Sequence, residues 1–259
     1  MPEVTSYAPG SPCWFDLTTS DPDGARAFYG ELFGWHLEVG PPETGYYAQA
    51  QVHGKPVAGI GGQPKPDELP VAWTTYLATD DLDATVKRVL ENAGTVTMAP
   101  LDVMDQGRMA VAVDPTGAAF GLWQPGRHFG AALVNEPGAV CWSELGTRDL
   151  DGARRFYSAL FGDEWEDVDT GEGGPPYATF SVDGRAVGGA YVMSEDVPAD
   201  VPASWMVDFA VADTDATVAK AQGMGGGVNM AAVDSPYGRF AILRDPQGGV
   251  FSVIELSGG

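Results

Sequence analysis

The chain has 259 residues, 44% of them hydrophobic, and carries 36 Asp and Glu against 14 Lys and Arg for a formal net charge of −22. This length and apolar content allow one large or two ordinary domains, each able to bury its own core. The acidic balance excludes nucleic acid and anionic membrane surfaces, which are held by clustered cations. No apolar run nears the roughly 20 residues that span a bilayer, and Met1-Pro2-Glu3-Val4 lacks the basic and apolar stretches of a secretory leader, so a cytoplasmic protein is expected.

Residues 1–12, with Pro2, Pro9, Gly10 and Pro12, read as a lead-in. Cys13 to Thr18 then alternates: Cys13, Phe15 and Leu17 fall on one face of a strand, Trp14, Asp16 and Thr18 on the other. The apolar set is expected to pack against the next helix. Asp21-Pro22 is an N-cap with proline in the first helical position, and Ala25, Phe28, Tyr29, Leu32 and Phe33 recur at helical spacing until Gly34. Strands at Trp35–Val39, Tyr46–Val52 and Val57–Ile60, with a His53-Gly54 hairpin turn, complete a β-α-β-β-β unit. After a connector from Gly61 to Pro70, the order restarts. Trp73–Leu77 is a strand, Asp80/Asp81 caps a helix that ends by Gly94, strands lie near Thr95–Met98 and Met109–Val113, and Asp114-Pro115-Thr116-Gly117 turns the chain into Ala119–Trp123.

The whole pattern then recurs. Cys141-Trp142-Ser143-Glu144-Leu145 and Ala153-Arg154-Arg155-Phe156-Tyr157 repeat Cys13-Trp14-Phe15-Asp16-Leu17 and Ala25-Arg26-Ala27-Phe28-Tyr29 at a constant offset of 128 residues. Trp205–Asp208 matches Trp73–Tyr76, and Asp245-Pro246-Gln247-Gly248 matches the Asp114 turn. The helix after Asp213 is weaker, and Gly223–Gly227 forms a flexible exit. The expected domains are 13–124 and 140–256, joined by a linker over 125–139 that holds Pro125, Gly126, Gly130, Pro137 and Gly138.

This four-fold β-α-β-β-β series, with its Phe-Tyr helices, Leu-Phe-Gly helix ends and Asp-Pro-x-Gly turns, resembles the glyoxalase, bleomycin-resistance and extradiol-dioxygenase superfamily, the vicinal oxygen chelate proteins. The resemblance implies an α+β fold of tandem domains, each of two units forming a half-open barrel with the helices outside. It also implies that metal ligands, where present, lie on the first and last strands. The corresponding positions are Trp14, Thr74, Trp142 and Met206, then Gly121 and Ser252, with Ala58 and Gly188 as approximate counterparts. These are poor donors for a divalent cation. His36, His53 and His128 are dispersed over loops, so no metal and no cofactor is expected.

Aromatic groups and carboxylates stand in place of ligands. Trp14, Asp16, Thr74, Tyr76 and Trp123 are expected to line the first pocket, and Trp142, Glu144, Met206 and Asp208 the second. One reading is a metal-independent protein that holds a planar aromatic or polycyclic molecule, for drug sequestration, resistance or natural-product biosynthesis. A second is a metal-independent acid/base enzyme of lyase, isomerase or hydroxylase type using Glu144, Asp208 or Asp16. A third is a divalent-metal enzyme with atypical ligands. Against all three stands the reading that the tryptophans fill the barrels as core. Arg108 and Arg239 read as ion-pair partners, Cys13 and Cys141 as buried thiols on the helix-facing side, and the tandem arrangement suits a monomer.

Overall fold

The computed structural model describes residues 4–64, 70–171 and 173–257; the middle of the connector expected between Gly61 and Pro70 lies outside them. The first unit runs β1 (Pro12–Thr19), α1 (Pro22–Phe33), β2 (His36–Val39), β3 (Ala48–Val52) and β4 (Lys55–Gly62). The second runs β5 (Ala72–Ala78), α2 (Leu82–Glu91), β6 (Thr95–Val103), β7 (Gly107–Val113) and β8 (Ala119–Pro125). The third has β9 (Val140–Thr147), α3 (Leu150–Phe161), β10 (Glu164–Val168), β11 (Tyr177–Val182) and β12 (Arg185–Val192). The fourth has β13 (Ser204–Ala210), α4 (Thr214–Gly223), β14 (Gly227–Ser235), β15 (Gly238–Arg244) and β16 (Val250–Leu256).

Helix starts follow the expected capping chemistry. Asp21, Asp81, Asp149 and Asp213 each accept a backbone N–H from the residue three ahead, and α1 and α3 end on left-handed Gly34 and Gly162. Helix α2 stops at an Asn92 cap, two residues before Gly94.

Units pair to give two open eight-stranded sheets, ordered β2-β3-β4-β1-β5-β8-β7-β6 and β10-β11-β12-β9-β13-β16-β15-β14. Within a unit the first strand pairs parallel with the last, as β1 with β4 and β5 with β8. An antiparallel seam joins units, β1 to β5 and β9 to β13. The fold is α+β, with two tandem half-barrels and the helices outside both concave faces.

The cores differ from the expectation that each half buries its own. Phe15, Leu17, Phe28 and Tyr29 of the first unit pack with Val207, Phe209, Ala241 and Phe251 of the fourth. Leu82, Val89 and Phe120 of the second pack with Phe156, Tyr157, Leu160 and Phe180 of the third. The helices are therefore sandwiched between the sheets, because the Phe-Tyr pairs give α1 and α3 apolar surface on two sides. Fully burying each such side chain contributes about 1.5–3 kcal/mol.

Polar pins fix this arrangement. Tyr29 Oη donates to Asp245 Oδ2 at 3.0 Å and receives Trp73 Nε1 at 3.0 Å. The copy joins Tyr157 Oη to Asp114 Oδ2 and Trp205 Nε1, again at 3.0 Å each. The other oxygen of each Asp accepts backbone N–H groups of its own Asp-Pro-x-Gly turn. The motif read as a turn is thus also the acceptor for the opposite half.

Candidate functional site

Strand register sets what each concave face carries. Across the β1/β5 seam Trp14 stands opposite Tyr76 and Asp16 opposite Thr74. Across β9/β13 Trp142 stands opposite Asp208 and Glu144 opposite Met206. On the flanking parallel strands Asp16 pairs with Gly59, Tyr76 with Gly121, Ala78 with Trp123, Glu144 with Gly189 and Asp208 with Ser252. Ala58 and Gly188 sit one residue off this parity: Ala58 is in the helix-side core, and a Cβ on Gly188 would meet the core ring of Phe180 at 2.5 Å.

Each face holds a tyrosine that strand parity did not identify. Trp14 Nε1 donates to Tyr47 Oη at 2.8 Å, and Trp142 Nε1 donates to Tyr177 Oη at 2.8 Å. Room for each ring comes from a missing side chain, since a Cβ on Gly59 would fall 1.7 Å from Tyr47 Oη and one on Gly189 2.1 Å from Tyr177 Oη. Matched tyrosines beside matched strand glycines were the available signal.

The first face is closed over its Trp14, Tyr76 and Trp123 rings, which are only 4%, 5% and 5% exposed. Residues 126–134 strap its mouth, with His128 N bonded to Gln106 O, Ala131 N to Cys13 O and Ala132 N to Pro56 O. The His128 ring packs edge-on against Trp14 with centroids 4.3 Å apart, and Trp123 Nε1 donates to His128 O. Tyr7 of the lead-in donates to Ala131 O. Cys13 lies in this cluster with Trp14, Tyr76 and Trp123, not on the helix side, because the register slips between Pro12 and Trp14.

Within this closed face Tyr47 Oη reaches Asp16 Oδ2 at 3.4 Å, while Asp16 Oδ1 has no hydrogen-bond partner. Burial pushes the Asp16 carboxyl up to about 7, with the Tyr76 and Tyr47 hydroxyls pulling the other way. Burial also holds the His128 imidazole down at about 4.

The second face is accessible. Trp142, Glu144, Tyr177, Tyr191 and Met206 are all part-exposed; the contrast with the first face lies at the tryptophan, since Trp14 is buried while Asp16, Tyr47 and Thr74 are part-exposed like their counterparts. Glu144 is raised by burial and then by the Asp208 charge, with the Tyr177 hydroxyl opposing. Burial raises Asp208, with Ser252 opposing. Tyr177 and Tyr191 are held above the usual range by burial and by both carboxylates, so they stay protonated donors. Indole, phenols and two carboxyls, both shifted upward by burial, therefore converge on one part-exposed surface.

Among the described residues no group of three or more His, Cys, Asp and Glu could hold a metal ion. The donor set at the expected ligand positions, Trp14, Thr74 and Gly121 or Trp142, Met206 and Ser252, does not fit a divalent cation. Arg108 pairs with Asp83 and Asp102, and Arg239 with Asp215 and Asp234, which ties both to surface ion pairs. Surface depressions at Gly225–Gly227 with Arg244–Gly248, and at Ala8–Pro9 with Phe161–Glu164, lie outside both concave faces.

Residues 13–122 match the Glyoxalase/Bleomycin resistance protein/Dioxygenase superfamily, and residues 140–254 match a glyoxalase-like domain. CFP32 of Mycobacterium tuberculosis, provisionally named a glyoxylase, is 44% identical over 260 residues, covering 98% of each chain. The anthracycline biosynthesis protein DnrV of Streptomyces peucetius is 41% identical over 270 residues, covering 99% of this chain and 97% of DnrV. Among solved structures, the Mn(II)-bound glyoxalase from Novosphingobium aromaticivorans is similar with a TM-score of 0.64 at 14% identity, over 96% of this chain and 82% of that one. The 2,2',3-trihydroxybiphenyl 1,2-dioxygenase of Sphingomonas wittichii gives 0.65 at 12% identity, over 97% and 93%.

Proposed function

Since the chain belongs to the glyoxalase/bleomycin resistance protein/dioxygenase superfamily, we propose that it binds a planar aromatic or polycyclic small molecule on the concave face of its second half, without a metal, in a natural-product biosynthetic or resistance setting. The supporting observation is the difference in access at the matched tryptophans: Trp14 is buried beneath the 126–134 strap, whereas Trp142 is part-exposed beside Tyr177, Tyr191 and Met206. Flat rings supply stacking area there, and Glu144 and Asp208 fix orientation. DnrV, named for anthracycline biosynthesis, supports the setting.

A panel of hydroxylated anthraquinones and related planar natural products tests the reading through Trp emission and thermal shift. A ligand at a hundred times its dissociation constant stabilises by about 2.7 kcal/mol, and one ligand per chain is expected. No shift with any member of the panel sinks the idea.

The carboxyl pair favours a second reading, an acid/base enzyme. Burial raises both carboxyls and the Asp208 charge raises Glu144 further, which keeps a proton on Glu144 near neutrality, ready for general acid or base work on the bound ring system. Once a substrate is known, Glu144→Gln and Asp208→Asn must each cut turnover at least a hundredfold; unchanged turnover removes the enzyme reading and leaves the binding one.

A further inference from the structure

Two buried polar atoms of the second face lack a hydrogen-bond partner: Asp208 Oδ2 and Ser252 Oγ. Their residues are 9% and 2% exposed and stand directly opposite each other on the parallel strands β13 and β16. The Ser252 hydroxyl is near enough to favour the charged form of Asp208, yet neither atom completes a bond to the other. Polar atoms buried at this depth are ordinarily satisfied, so an unmet donor and an unmet acceptor on adjacent strands mark a place for a third group. The first face has no such place: Tyr76 and Gly121 occupy the same register, and a Cβ on Gly121 would fall 2.1 Å from the Tyr76 ring. Trp142 stands across the seam from Asp208, so a ring that reaches the pair would lie beside the indole.

We infer that Asp208 and Ser252 form a hydroxyl-recognition pair in which a phenolic or alcoholic O–H of the ligand donates to Asp208 Oδ2 while its oxygen accepts from Ser252 Oγ. The inference rests on the second face being the ligand site, and it narrows the ligand class to hydroxylated planar molecules. A methyl ether, lacking the proton, leaves the carboxylate unmet, and a site built to hydrogen-bond a hydroxyl discriminates strongly against such an analogue.

Titration calorimetry of the full chain with 1-hydroxypyrene and 1-methoxypyrene at pH 7 tests it. The wild-type protein is expected to bind the hydroxyl compound at least tenfold more tightly. Ser252→Ala and the near-isosteric Asp208→Asn, checked for fold by circular dichroism, should each reduce that preference below threefold, the ratio of the two affinities being the readout. Equal wild-type affinity for the two probes, or a preference that survives in both variants, overturns the hydroxyl pair but leaves planar-ligand binding intact. Failure of both probes to bind the wild-type protein overturns the pair together with the reading on which it rests.

Discussion

Replacing Asp16 by Asn reports on whether the first concave face is dry. Its carboxyl is held at about 7 against an ordinary 3.8. Between those values the folded state binds the proton more tightly than the unfolded chain, so stability falls as pH rises through that window and levels off above it. At about 1.4 kcal/mol per tenfold, the gap sets a ceiling of about 4 kcal/mol on the destabilisation at pH 8. Water penetration reduces the effect toward about 1–3 kcal/mol, given the higher effective dielectric found at buried sites. Asn keeps an acceptor for the Tyr47 hydroxyl and removes the charge. Urea unfolding at pH 4.5 and pH 8 should therefore show the variant close to wild type at the lower pH and more stable at the higher. Subtracting wild type from variant at each pH isolates Asp16 from the other raised carboxyls, Glu144, Asp163, Asp208 and Asp245. A difference that does not change between the two pH values would refute the closed, dry face.

Tyr29→Phe and Tyr157→Phe each strand an indole N–H and a carboxylate oxygen between the sheets, and should each cost about 2–3 kcal/mol in thermal or urea unfolding. His128, held down at about 4, should show no imidazole titration by NMR between pH 5.5 and 8. Because the unfolded chain takes up that proton below about 6.5, its contribution to stability is lost as pH falls from there toward 4. Trp14→Ala should destabilise by about 3–5 kcal/mol, the range for emptying a buried Trp site, without altering ligand affinity. Trp142→Ala should cost less stability and abolish the quenching of Trp emission by a planar ligand.

The seam residues were legible from sequence because side-chain direction in a strand has period two, and Trp14, Asp16, Trp142, Glu144, Met206 and Asp208 inherit their face from that period alone. Tyr47 and Tyr177 were not, since each follows a loop whose length breaks any parity with the tryptophan it meets. His128 was read as a dispersed linker histidine; nothing local says that residues 126–134 lie across a sheet whose other parts come from more than a hundred residues earlier. Asp114 and Asp245 were recognised as turn formers, but their second oxygen answers to a tyrosine on the opposite sheet. The helical spacing of Ala25, Phe28, Tyr29, Leu32 and Phe33 predicts a buried side for α1 but does not tell that the Phe28-Tyr29 doublet serves two sheets. The imbalance between a closed and an open concave face depends on such distant contacts, and it supports the whole functional proposal.

The exchange of core partners between halves makes the molecule behave as one covalently tethered dimer. Neither half holds a complete interior: the first lends α1 to the fourth unit, and the third lends α3 to the second. Melting should accordingly be a single cooperative event, and a chain severed between 126 and 139 should survive by complementation, the two fragments clasping each other through their tyrosine pins. A fragment kept from its mate would find a near copy of that mate in itself. Self-pairing of isolated halves is the natural misassembly, and the tether suppresses it by keeping the correct partner at high local concentration.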